Sequence, residues 1–222
     1  MKRILFWGMV FVAVAGLSAQ NVTVREVPPI EYVRGAGDWR FVGSRLLQDD
    51  AGARLAKVNL SVPQEGVVYY EFNARYEGGV EDGHGGFGIH ILGDSRINAP
   101  SWGSGKSYLL WLNYDEHPTS ADIPAGLSAQ VYRSDSHSEM TLLYSQDLND
   151  YFAILNEDVL SENVPFRISV NGNTGEVRIY DPTEDLESVY YVFNIDKKAL
   201  PVKGSWIALR SNGMKVSFGL GL

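Results

Sequence analysis

The stretch "YEGGVEDGHGGFGIHI" (residues 76–91) brings Glu77, Glu81, Asp82 and His84 together among glycines. Carboxylates and an imidazole so placed are candidate oxygen and nitrogen ligands. Calcium takes about six to eight oxygens, and the carbonyls of a glycine-rich loop can supply some of them. A second acidic segment, "DEHPTSAD" (115–122), repeats the ligand types with Asp115, Glu116, His117 and Asp122. If the loops after Tyr76 and after Tyr114 share one end of the molecule, Glu81, Asp82 and Asp115 are the expected ligands of a composite site, with calcium as the cation. The alternative is a pair of separate solvated turns. No D-x-D-x-D-G framework is present, and glycines permit many loop conformations.

The residues that follow offer different chemistry. In an extended "FGIHIL", side chains alternate between faces. Phe87, Ile89 and Ile91 then point one way, and Gly88, His90 and Leu92 the other. His90 above Gly88 makes a polar floor suited to a ligand, or else is a hydrogen-bonded structural histidine. "NAPSWGSGKSY" places Trp102 in a loop of small residues. An exposed indole there presents a flat apolar face that stacks on sugar rings or anchors a protein interface. Tyr132 and Arg133, at the start of "YRSDSHSE", and Tyr114 are expected to share that rim. The expected ligand-binding set is therefore His90, Trp102, Tyr114, Tyr132 and Arg133, with no catalytic residue among them. Trp111, on the parity of Leu109, reads as core, as do Trp39 and Trp206. No G-x-S-x-G, H-E-x-x-H, P-loop or dinucleotide fingerprint occurs.

The elements that must position these residues are short alternating segments separated by Gly, Pro, Asn and Asp. The pattern predicts strands over 22–27, 39–47, 54–62, 67–76, 87–92, 108–114, 127–132, 140–144, 166–170, 177–180, 189–195, 205–211 and 215–220. "NGNTG" (171–175) reads as a hairpin turn, and "PQEG" (63–66) and "SNGM" (211–214) as similar turns. One stretch departs from the pattern. Leu148, Tyr151, Phe152, Leu155 and Val159 fall at helical spacing. That predicts a short helix near 146–155, capped by Ser145 with Asp147 in its first turn. Many strands and one helix predict an all-β, two-sheet antiparallel β-sandwich over residues 20–222.

The remaining numbers restrict location and partners. The chain has 222 residues, no cysteine and a formal charge of -8. Disulfides and thiolate metal sites are excluded, and an acidic balance disfavours nucleic acid and anionic membrane surfaces. "MKR", the apolar "ILFWGMVFVAVAGL" and "LSAQ" have the layout of a signal peptide, with a cut expected after Ala19. Removing Lys2 and Arg3 takes the charge from -8 to -8 - 2 = -10. The mature chain is then expected in the periplasm or outside the cell, with no later segment able to span a membrane as a helix.

Four segments, "VVYYEFNARYEGG…GGFGIHIL", "SYLLWLNYDE", "VPFRISVNGNTGEVRIYDP" and "GSWIALRSNGMKVSFGLG", together resemble the concanavalin A-like jelly-roll superfamily in its laminin-G-like branch. The last looks like the closing hairpin of such domains. The resemblance covers roughly residues 39–222 and implies a jelly-roll sandwich that is a glycosidase, a lectin or adhesion module, or a structural protein. Hydrolases of this fold often carry E-x-D-x-E along one strand, which is absent here, so the resemblance favours a non-catalytic module binding a glycan or a polymeric protein surface. A glycan-active hydrolase is kept as an alternative. "YEFNARYEGG" in an acidic, cysteine-free chain also resembles, more weakly, the outer-layer (sheath) proteins of spirochaetal periplasmic flagella, which implies a coat protein capable of self-association.

Overall fold

The structure is a computed structural model and describes residues 32–152, 162–181, 188–195 and 204–219. Fourteen strands among these residues form two antiparallel sheets of seven. Sheet A contains β1 (Tyr32–Ala36), β4 (Ala56–Gln64), β6 (His84–Gly93), β7 (Ser107–Asp115), β8 (Gly126–Ser134), β9 (Met140–Asp147) and β13 (Gly204–Asn212), in the order β1-β4-β13-β6-β7-β8-β9. Sheet B contains β2 (Trp39–Val42), β3 (Arg45–Gln48), β5 (Val67–Gly79), β10 (Val164–Asn171), β11 (Glu176–Tyr180), β12 (Val189–Asn194) and β14 (Met214–Gly219), in the order β12-β11-β10-β5-β14-β3-β2.

Alternation builds the core. Val58, Leu60 and Val62 of β4, Phe87, Ile89 and Ile91 of β6, and Ile207 and Leu209 of β13 face inward from sheet A. They meet Val68, Tyr70 and Phe72 of β5 and Val216 and Phe218 of β14. Phe87 ties the layers together, edge-on to Phe166 at 5.9 Å and to Phe218 at 6.0 Å between ring centroids. Offset and edge-on aromatic pairs add to the area they bury.

Glycine turn signals divide into two kinds. "NGNTG" is the expected hairpin between β10 and β11, with Asn171 Oδ1 accepting the Asn173 N–H at 3.0 Å. "PQEG" and "SNGM" are not hairpins: each carries the chain from one sheet to the other. β13 and β14 are separated by Gly213 alone and lie in opposite sheets, so the expected closing hairpin is a corner. Gly213 has φ +66°, a left-handed conformation that favours glycine, and its N–H and C=O bond Ala53 and Val80 instead of a hairpin partner. The stretch between Tyr76 and Ile91 is a third corner, from β5 to β6, where Val80 takes φ 70° and Gly83 N–H bonds Val80 O.

Other expectations shift. The strand predicted over 39–47 is the β2–β3 hairpin, broken at Gly43, and β1 was not expected. Gln146 and Asp147, predicted to begin the helix, complete β9, because their backbones pair with Ala129 and Ser128 of β8. Among the described residues helical structure is one turn, α1 (Asn149–Phe152), entered by the Asn149 N–H donating to Asp147 Oδ1 at 2.8 Å rather than by a Ser145 cap. The rest of that predicted helix, the predicted strand over 22–27 and the signal segment lie outside the described residues. Leu92, expected beside His90, is in the core. A bulge opposite β13 and a φ of 55° turn it inward, while Gln64 Oε1 accepts its N–H at 2.6 Å.

Candidate functional site

The outward face of sheet A carries the polar residues that alternate with the core. One row across it is Lys57, Arg210, Gly88, Trp111 and Gln130, and the next is Asn59, Ala208, His90, Leu109 and Tyr132. Such a face is ordinarily wet, yet Lys57, His90, Gln130 and Arg210 are all buried. The cause is the β6–β7 connection, residues 94–106, folded back over the face. Its ends are pinched where Asp94 N–H meets Lys106 O at 3.1 Å and Asp94 Oδ1 accepts Lys106 N–H at 2.9 Å. A connection with close ends and its own packing is an Ω-loop.

The sheet face holds this loop by donating to its carbonyls. Lys57 Nζ donates to Gly103 O at 2.7 Å, Ser101 Oγ at 2.9 Å and Ser101 O at 3.3 Å. Arg210 Nη1 donates to Trp102 O, and Asn59 Nδ2 to Ile97 O at 3.1 Å. From β8, Ser134 Oγ accepts Ser104 N–H at 2.9 Å and donates to Gly105 O at 2.7 Å. Gly103 N–H reaches His137 O at 3.0 Å in the β8–β9 turn.

Trp102 crosses the top of this arrangement. The Arg210 guanidinium carbon lies 5.0 Å from the Trp102 ring centroid and 5.4 Å from that of Trp111, so the cation contacts both indoles. Trp102 stays 51% exposed, leaving indole surface open to a partner although the backbone beneath is fixed. Arg96 lies over Trp206 in a second pair, at 5.5 Å.

Lys57 and Arg210 are unusual as buried charges. Among the described residues neither has a carboxylate within ion-pair distance. Burial, and then the charge of Arg210, bring the Lys57 ammonium down to about 7. Burial lowers Arg210 to about 10, against a smaller raising effect of Tyr132. His90 is held well below the usual imidazole range by burial, then by Arg210 and Lys57, so it is neutral. Its Nδ1 lies 3.0 Å from Ser107 Oγ, while His90 Nε2 and Arg210 Nε are buried with no hydrogen-bond partner among the described residues.

The structure brings together three of the five residues expected to bind ligand. Trp102 lies on the loop, His90 beneath it, and Tyr132 in His90's row with its Oη donating to Gln130 Oε1 at 2.7 Å. Strand alternation separates the other two. Arg133 pairs across from core residue Tyr108 on the inward parity and holds Asp135 at 3.1 Å. Tyr114 also has inward parity, opposite Leu127, and donates to Glu116 Oε1 at 2.8 Å. Trp111 and Trp206, expected in the core, are partly buried on the outward face: inward parity on β7 belongs to Tyr108, Leu110 and Leu112, and Trp206 pairs with outward Ser61. Trp39 is fully buried in the core as expected.

The two acidic loops do share an end, where Glu116 N–H bonds Gly83 O at 2.9 Å. Two of their carboxylates have side-chain partners of the opposite chemical type. Asp82 pairs with Arg54, Asp115 Oδ2 lies 3.2 Å from His84 Nδ1, and Glu81 is exposed. Among the described residues no three His, Asp or Glu side chains converge as a metal site.

The residues that organise the site, Lys57 and Arg210, were not singled out in the sequence. Their signal is a cation within a strand beside apolar residues, as in "LAKVNL" and "WIALR". Such a charge needs partners from elsewhere in the fold, because burial without them is costly.

No protein-family model and no curated protein matches the chain. Solved structures do. The carbohydrate binding module CBM66 from Bacillus subtilis superposes with a TM-score of 0.51 at 10% identity, covering 84% of this chain and 91% of the module. Peanut lectin, solved with a nine-residue peptide, superposes with a TM-score of 0.51 at 14% identity, covering 86% of this chain and 90% of the lectin. The chain thus shares the two-sheet β-sandwich fold of these two structures.

Proposed function

We propose that this chain is an exported, non-catalytic β-sandwich module that binds a glycan at the loop-covered face of sheet A. One observation carries the reading: the Trp102 indole is half exposed while Lys57, Arg210 and Ser134 tie down the backbone around it. A flat apolar surface held in place loses little entropy when a sugar ring stacks on it, and preorganisation of this kind raises affinity. The description of one structure of like fold as a carbohydrate binding module, and of another as a lectin, supports the reading.

The test is a glycan array probed with the protein and with Trp102→Ala, each with and without calcium. Binding that disappears in the variant and does not need calcium is expected, since Asp82 and Asp115 are already engaged with Arg54 and His84. Equal binding by the variant would move the site elsewhere, and an array with no signal would sink the reading.

A second reading rests on a different observation. Phe41 and Val42 on β2, Leu143 on β9, and Val189 and Val192 on β12 are exposed apolar side chains on strands at sheet edges. Edge strands with such side chains favour lateral association. The protein would then be a coat on a polymeric protein surface, such as a periplasmic flagellar filament. Sedimentation across a concentration series separates the two: a coat protein self-associates and a monovalent glycan module does not.

A further inference from the structure

We infer that the glycan taken at the Trp102 platform is an acidic one, whose carboxylate is drawn by the uncompensated positive charge of Lys57 and Arg210 beneath the loop. The inference rests on the proposed glycan-binding reading and narrows its ligand class.

The charge distribution carries it. The chain is acidic, at -8 overall. Yet neither central row of the outward face contains a carboxylate, and the covering loop, residues 94–106, has one, Asp94, at the pinch of its ends. The same region holds Lys57 and Arg210 below, and Arg96 and Lys106 on the loop itself. In a protein with more acids than bases, this is a local inversion of sign beside the half-exposed Trp102 indole.

Anchoring the loop does not require it. Asn59 holds Ile97 O with a neutral amide, and Ser134 holds Gly105 O with a hydroxyl. Lys57 and Arg210 do the same work with full charges, and burying a charge costs several kcal/mol more than burying a neutral donor unless an opposite charge compensates it. Among the described residues the fold supplies none. Arg210 Nε is also buried with no acceptor among the described residues, so donor capacity as well as charge is left over. The field of buried charge projects through a low-dielectric loop to the surface above, where salt screens its action on an exposed ligand. An acidic sugar stacked on Trp102 places its ring on the indole and its carboxylate in that field.

The groups facing Lys57 are Arg210 and neutral His90 from the sheet, with uncharged Ser101 and Gly103 from the loop. Below about pH 7 Lys57 carries its charge, and above it the charge is lost. Preference for an acidic ligand therefore weakens as pH rises through that value, while Arg210 stays charged.

The experiment measures affinity at low salt and about pH 6 for a panel of sialylated and hexuronate glycans, each beside its carboxyl-reduced form, with poly-glutamate alongside. The expected result is acidic forms bound at least about tenfold more tightly than reduced forms. That ratio falls with added salt, falls between about pH 6 and pH 8, and falls in Lys57→Met. Trp102→Ala abolishes both forms. Equal affinity for acidic and reduced forms overturns the inference and leaves the glycan reading standing. Binding of neither form overturns both. Poly-glutamate bound as well as the acidic glycans replaces the glycan with an acidic protein surface. Should Lys57→Met fail to fold, the salt and pH series on the unaltered protein decides the question alone.

Discussion

Trp102 and Lys57 lie on opposite sides of one loop backbone, the first half exposed and the second buried. Trp102 faces solvent and covers Arg210, so Trp102→Ala should cost only the cation–π contact, about 0.5–2 kcal/mol. Thermal melts should show a small shift beside a large loss of ligand binding, and a cooperative collapse would mean that the indole is structural. Lys57 makes stability depend on pH. Its folded pKa, about 7, is below the unfolded value of 10.5, so between these values the unfolded chain binds more protons than the folded one. Stability contributed by this site rises with pH across that window, and His90, also depressed, adds a rise across the ordinary imidazole range. Melting temperature should increase from about pH 6 to pH 9, and Lys57→Met should flatten the upper part of that slope. At this scale the sequence was legible where a residue type announces itself. Trp102 in a small-residue loop and His90 on an alternating strand were found; Lys57 and Arg210 were not, because what makes them matter is a loop about forty residues away from one and a hundred from the other.

The decisive element is the covering loop, and its seat is tightest at Gly103. A Cβ added there would lie 2.1 Å from Ser136 O and 2.5 Å from Ser134 Oγ, inside contact distance of a backbone carbonyl. Gly103→Ala should push the loop off β8, destabilise by about 1–3 kcal/mol and weaken ligand binding together with stability. Unchanged binding in that variant would show that loop placement does not set the platform. Strand positions were readable from alternation, since one apolar face per strand is what a two-sheet core demands. Turn function was not. Gly66 and Gly213 look in sequence like the glycines of hairpins, and only the three-dimensional path shows that they switch sheets. Tyr114 and Arg133 were misplaced for a related reason. Proximity in sequence suggested a shared rim, but parity sends them to the face opposite Tyr132.

For the molecule as a whole, two sheets cohere through a small set of aromatic contacts, with Phe87 at their centre. Phe87→Ala should cost about 3–5 kcal/mol, measurable in denaturant unfolding as a lowered midpoint. The sandwich keeps one outward face covered and charged and several edges apolar, and the proposed ligand binding falls on the covered face. The measurement that tests this most directly is a proton–nitrogen NMR titration with a glycan found to bind. The indole N–H signal of Trp102 is assigned by its absence in Trp102→Ala. This signal should move on titration while that of Trp39, buried in the core and donating to Ala36 O at 2.7 Å, stays in place. Saturable binding with the Trp102 signal unmoved would put the ligand elsewhere on the molecule.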